Sequence, residues 1–217
     1  MHFRPEERLA ILIDGESFYA TVVELGFEID FLRLLALFRQ KAKLVHALYY
    51  AVLADGEQDG GLRQLLDWLA YNGFTIVTKP PREATGLPQR RMRVGLAVDA
   101  VRLADHVDHV ILFTGDGDFR ALVADVQRRG RRVSVASTLR VAASELRRQA
   151  DQFIDLRELE HLIGRGRAAS AARAPSATAA GATQEAQAAQ RPPPEVAHSA
   201  ARCDAPEDDI PQPDHRE

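Results

Sequence analysis

Two aspartates one residue apart, Asp116 and Asp118, follow the apolar run Val110-Ile111-Leu112-Phe113-Thr114 and are spaced by Gly115 and Gly117. Carboxylates held that close repel each other unless a cation or hydrogen-bond donors compensate them. A cation held between them is one reading. The bland alternative is a hydrogen-bonded turn, since Asp favours turns and helix N-caps. A third acid has the same setting: Leu9–Ile13 is a short apolar run that ends in Asp14-Gly15-Glu16-Ser17-Phe18. A fourth, Asp99, interrupts the mostly apolar helical pattern of Met92, Leu96, Val98, Val101 and Leu103. Burying it requires a partner, a metal or Arg102 among them; pointing to solvent is the other outcome.

The elements that must position these acids alternate along the chain. Strands are predicted at Leu9–Ile13, Val45–Val52, Phe74–Thr78, Val110–Thr114, Val133–Ser137 and Phe153–Asp155. Helical spacing covers Phe18–Leu25, the segment after Asp30, Leu62–Leu69, Met92–Ala104, Phe119–Arg129 and Val141–Ala150, with a last helical turn at Leu156–Ile163. Asp30 is a predicted N-cap, and Gly26, Gly73 and Gly130 are predicted terminators. Such alternation implies an α/β fold with a mainly parallel sheet and helices on both faces. Aspartates at strand-to-helix turns then lie at the carboxyl edge, where ligands bind. Asp55–Gly61 and the proline-rich Lys79–Gln89 read as loops, the second beside the site. His46, within the second strand, reads as a packed histidine.

Hydrophobic residues make up 46% of the 217, enough for one core of ordinary size, assigned to 1–163. Residues 164–217, rich in Ala, Ser, Gln and Pro, read as a disordered low-complexity tail, a possible attachment for a protein partner. A single cysteine, Cys203, excludes an internal disulfide and a cysteine-paired zinc site. With no secretory signal and no apolar stretch of about 18 residues, the expectation is a cytoplasmic protein away from membranes.

The net charge of −3 gives no general attraction for nucleic acid, but arginine is concentrated locally. Arg90, Arg91 and Arg93 flank the proline-rich loop, and Arg128, Arg129, Arg131 and Arg132 end the helix after the central turn. The planar arginine fork binds phosphate oxygens, so these are the candidate nucleic-acid contacts; a solvated charged face, or charge gathered at a helix end, is the alternative.

Taken together, Ile11-Leu12-Ile13-Asp14-Gly15, Leu96-Ala97-Val98-Asp99-Ala100, Thr114-Gly115-Asp116-Gly117-Asp118-Phe119 and the late Glu145–Leu156 stretch resemble the NYN domain family. More narrowly the chain is similar to its bacterial LabA-like (DUF88) branch within the PIN-like nuclease superfamily, over residues 9–160. The resemblance implies a PIN-like three-layer α/β/α sandwich in which clustered carboxylates bind Mg²⁺ or Mn²⁺ and hydrolyse RNA phosphodiesters. By position, Asp14, Asp99, Asp116 and Asp118 match the family's catalytic acids, with Asp14, Asp116 and Asp118 as metal ligands and Ser17, Gly115 and Gly117 in support.

Two departures stand out. Ser17 replaces an asparagine usual soon after the first aspartate, and Arg93 replaces an acid six residues before Asp99, in a segment that lacks the family's Lys-Gly pair. An arginine cannot ligate a cation and sets positive charge beside the site. The expected function is a metal-dependent ribonuclease; the alternative is a degenerate domain that binds RNA or a protein, with Arg93 standing where the metal would. A phosphatase using Asp14 as nucleophile is disfavoured, because Glu16 breaks the Asp-x-Asp pattern, and no P-loop occurs.

Overall fold

Leu9 to Ile13 are wholly inaccessible to solvent, which a strand achieves only when both faces of its sheet are covered. They form β1 (Arg8–Asp14), at the centre of a computed structural model that describes residues 2–53, 60–79 and 88–165, with backbone alone at 79 and 88–91. The other strands are β2 (Lys43–Val52), β3 (Thr75–Lys79), β4 (His109–Phe113), β5 (Arg132–Ser137) and β6 (Gln152–Asp155). They make one six-stranded sheet in the order β3-β2-β1-β4-β5-β6, every neighbouring pair parallel. Parallel neighbours require crossovers, and the helices supply them.

The helices are α1 (Gly15–Leu25), α2 (Phe31–Lys41), α3 (Gly60–Tyr71), α4 (Pro88–Leu103), α5 (Arg120–Arg128), α6 (Ser144–Gln149) and α7 (Glu160–Ile163). Side-chain alternation along β1 divides the core. Leu9, Ile11 and Ile13 pack with Phe18 of α1, Leu34 and Phe38 of α2 and Leu69 of α3. Ala10 and Leu12 pack with Met92 and Leu96 of α4, Val123 of α5 and Leu146 of α6. Helices therefore cover both faces, giving the expected three-layer α/β/α sandwich.

The strand order reverses direction at β1. From β1 the chain steps outward to β2 and β3, then α4 carries it back across the opposite face to β4, on the other side of β1. The crossovers leaving β1 and β4 diverge, which opens a crevice beyond their carboxyl ends. Asp14 ends β1, and Thr114 to Asp118 follow β4.

Element bounds depart from expectation in several places: α3 takes in Gly60 and Gly61 of the first expected loop, and β3 takes in Lys79 of the second. Helix α4 begins at Pro88, where proline suits a first helical turn, so Gln89 is helical rather than loop. Helix α6 is confined to Ser144–Gln149, because Thr138 organises a turn instead: its carbonyl accepts from Ala142 N and its hydroxyl from Val141 N. Backbone pairing also continues past 163, with Gly164 bridged to Ile29 and Arg165 N donating to Glu28 O. His46 is exposed rather than packed. The rest of the expected loops, 54–59 and 80–87, and the tail from 166 to 217 lie outside the described residues. Among the described residues, no helix is long and apolar enough to cross a membrane.

The amino edge is closed by a charged network. Glu7, nearly buried, receives Arg132 Nη1 at 2.7 Å and lies 3.5 Å from His109 Nδ1. His109 Nε2 meets Ser134 Oγ at 2.8 Å, and the ring stacks with Phe3 at 5.2 Å between centroids. Burial, reinforced by Arg132, pushes the His109 pKa down to about 4.

Candidate functional site

Asp14 leaves β1 as the residue before α1, yet its side chain caps nothing. Its Oδ2 accepts from the Thr114 hydroxyl at 3.2 Å, and Thr114 Oγ1 accepts from Asp116 N at 3.2 Å. Thr114 thus links the ends of the two central strands through one hydroxyl. Asp14 is only 5% exposed, and burial raises its pKa above the usual carboxylate value against the opposing pull of Thr114 and Arg93. An acid kept in that state works against its own ionisation, as site carboxylates often do.

The turn after β4 has a tight second support. Ser17 Oγ accepts from Gly115 N at 2.7 Å, so this serine holds the turn rather than orienting Asp14. A Cβ at Gly115 would fall 2.8 Å from the Val141 carbonyl oxygen, which is why glycine stands there. Ala143 N donates to Gly115 O at 2.8 Å and ties the turn to the start of α6.

The two oxygens of Asp116 divide the two readings of this residue. Oδ1 accepts from Asp118 N at 3.0 Å and caps a single 3-10 turn, the ordinary structural role. Oδ2 lies 2.8 Å from Arg93 Nη1. Arg93, from the first half of α4, also reaches Asp118 Oδ2 at 3.5 Å and exerts its field on Asp14. The contact with Asp116 is an ion pair without an aligned hydrogen bond: Asp116 Oδ2 and Arg93 Nε are both buried with no hydrogen-bond partner. Asp118 is otherwise open, its side chain 81% exposed.

Asp99, one turn and a half beyond Arg93 on α4, finds a partner that sequence spacing does not show. Tyr50 of β2 donates its hydroxyl to Asp99 Oδ2 at 3.0 Å. Neither Arg102 nor solvent alone compensates it, and the register that sets Tyr50 opposite Asp14 places this pair beside the crevice.

The residues present do not fit a divalent ion. Among the described residues, no three His, Cys, Asp or Glu side chains converge as a ligand set, and the charge that Asp116 and Asp118 would offer a metal is taken by Arg93. A cation placed there would also be repelled by the guanidinium.

The structure does not bring Arg128, Arg129, Arg131 and Arg132 to these acids. Helix α5 runs back from the carboxyl edge, so its C-terminal end and the start of β5 lie at the amino edge. There Arg128 and Arg129 pair with Asp125, Arg129 also with Asp105, Arg131 with Asp108, and Arg132 with Glu7. Of the expected set Arg93 shares the carboxyl edge, and it is joined there by Arg120 at the start of α5 and Arg148 on α6, both exposed. The side chains of Arg90 and Arg91 lie outside the described residues.

Comparison with known proteins agrees with this architecture. The NYN domain matches residues 8–160. The chain is 31% identical over 172 residues to the low amplitude and bright protein LabA of Synechococcus elongatus, an alignment covering 75% of this chain and 90% of that one. It is also similar to the crystal structure of a protein of unknown function from Vibrio parahaemolyticus, with a TM-score of 0.61 and 30% identity over 71% of this chain and 95% of the other. From the span of the domain match and the acids at the ends of β1 and β4, the chain belongs to the NYN domain family, in the nuclease-like PIN superfamily that typically uses divalent metals.

Proposed function

We propose that this NYN domain binds single-stranded RNA along the carboxyl edge and does not hydrolyse it through a divalent metal. The observation that carries the reading is the 2.8 Å ion pair between Arg93 and Asp116, extended to Asp118 at 3.5 Å. It offsets part of the negative charge of the crevice from within, so a polyanion meets less repulsion than bare carboxylates would give. Arg120 and Arg148 add exposed cationic groups on the same edge. The experiment is RNA retention by the full chain at low and physiological salt, with and without Mn²⁺. Binding that is salt-sensitive, independent of Mn²⁺ and unaccompanied by cleavage is the expected result.

One observation favours the second reading, a metal-dependent ribonuclease using Mg²⁺ or Mn²⁺. Asp116 Oδ2 and Arg93 Nε lack aligned hydrogen bonds, so the guanidinium is held by charge more than by geometry. Were Arg93 to turn away, Asp14, Asp116 and Asp118 would face the vacated space. Mn²⁺-dependent cleavage by the purified chain, lost in Asp116→Asn, would establish that reading and overturn the first. Cytoplasmic residence and a protein partner attached through 164–217 are further parts of the proposal, supported by the single cysteine and by composition.

A further inference from the structure

Beside the acidic turn lies an open cavity of about 670 Å³, bounded by Asp116, Gly117, Asp118, Arg120, Glu145 and Gln149, with Ala121 and Ala124 on its α5 wall. A smaller recess of about 310 Å³, lined in part by Arg148, shares Arg120, Glu145 and Gln149 with it. The wall is chemically divided. Ala121 and Ala124 offer a short apolar surface with no side-chain polar atom, and the polar groups meet at Glu145. Gly117 allows this closeness, because a Cβ there would fall 2.7 Å from Glu145 Oε1. Glu145 Oε2 already accepts from the Ser144 hydroxyl at 3.2 Å. The Gln149 amide gives one of its two N–H groups to Gln127 Oε1 at 2.8 Å, which leaves its carbonyl oxygen and its second N–H for a ligand. The cavity therefore presents acceptors from Glu145 and Gln149 beside donors from Arg120, with Arg148 in the adjoining recess.

That pattern excludes simple ions. A phosphate would face the Asp116, Asp118 and Glu145 carboxylates, and among the described residues no three acidic side chains converge as a metal ligand set. A neutral, planar, polar ligand with an apolar face suits it better, and on an RNA-binding edge this is an unstacked base. Among the four bases only guanine carries two adjacent donors, N1–H and the N2 amino group, that match the paired oxygens of a carboxylate. Its O6 and N7 are acceptors suited to arginine. Adenine and cytosine set a ring-nitrogen lone pair beside their one amino group, and uracil flanks its N3–H with carbonyls; each would bring an acceptor against Glu145.

We propose that this cavity is a guanine pocket for single-stranded RNA, with Glu145 accepting from N1–H and N2–H and Arg120 donating to O6 or N7. The inference rests on the RNA-binding reading for its source of guanine, but not for the chemistry of the pocket.

The test uses the full chain and two probes. The first is the set of GMP, AMP, CMP and UMP, titrated by NMR; the second is a pair of ten-nucleotide A/U RNAs, one carrying a central guanine. GMP should bind about tenfold tighter than the other three, the discrimination expected of one bidentate contact. Glu145→Gln, which exchanges one acceptor for a donor, should bring the four nucleotides within twofold of one another, with the protein's fold unchanged by circular dichroism. Equal binding of the four by the native protein, or a GMP preference that survives Glu145→Gln, overturns the guanine pocket. A GMP preference with neither RNA retained would instead overturn the RNA-binding reading and leave a pocket for free guanine nucleotides. Both RNAs held equally, with no GMP preference, would overturn the pocket and leave RNA binding intact.

Discussion

Arg93 Nη1 lies 2.8 Å from Asp116 Oδ2, so helix α4 supplies the counter-ion of the acid that follows β4. The site compensates its own charge, and that arrangement sets the first prediction. Arg93→Asp should create a cation site bounded by Asp14, Asp116, Asp118 and the new carboxylate. Mn²⁺ at millimolar concentration should then raise the melting temperature of the variant by several degrees and leave the native protein within one degree. Differential scanning fluorimetry reads both; a shift of the same size in the native protein would show that Arg93 yields to metal.

Asp14 is buried with a raised pKa, so the folded state holds its proton more tightly than the unfolded state. Stability then falls as pH rises from the unfolded carboxylate value through the folded one, and at neutral pH the ionised form works against folding. Asp14→Asn should stabilise the domain at pH 7, read as a rise in its melting temperature. The gain should vanish near pH 3. A loss of stability at pH 7 would show that the pull of Arg93 and Thr114 outweighs burial.

Thr114 is the residue on which the two central strand ends depend. Thr114→Val keeps the shape and β-branching but leaves Asp14 Oδ2 without its donor and Asp116 N without its acceptor. The expected cost is about 1–3 kcal/mol, measured by urea unfolding. Thr114→Ser, which restores the hydroxyl, should recover most of it.

His109 gives an acid-sensitive edge far from the site. Its pKa near 4 in the fold, against 6.5 for the free side chain, means that the unfolded chain takes up the proton first. Stability conferred by the neutral ring is present above about pH 6.5 and is lost as pH falls toward 4, on the order of 3 kcal/mol over that window. Glu7 and Asp151 oppose the shift and Arg132 supports it, so all three shape the curve. His109→Gln should flatten the stability profile between pH 6.5 and 4. Asp108, held near 2 by the hydrogen bonds from Arg8, titrates below that window and leaves it clear.

The arginines that end α5 are paired with acids on the amino edge. Replacing Arg128 and Arg129 together by glutamine should change RNA affinity less than twofold at physiological salt, as filter binding would report. A drop of tenfold would place the strand on that edge instead.

The amino-acid order by itself determined the alternation of strands and helices, the Asp30 cap, the glycine stops and the presence of acids at the ends of β1 and β4, because periodicity and turn chemistry are local. It also placed Arg93 at the position of a missing acid. The location of Arg128 to Arg132 was legible too, since a helix leaving the carboxyl edge must end at the opposite one, but charge density alone pointed elsewhere. Only the tertiary structure decided the strand order, which sets Asp14 beside Asp116 across about a hundred residues of chain, and with it the Tyr50–Asp99 bond and the cavity at Glu145. Those relations depend on long-range pairing and on the rotation of α4 and α6 against the sheet, quantities that no spacing within a single segment encodes.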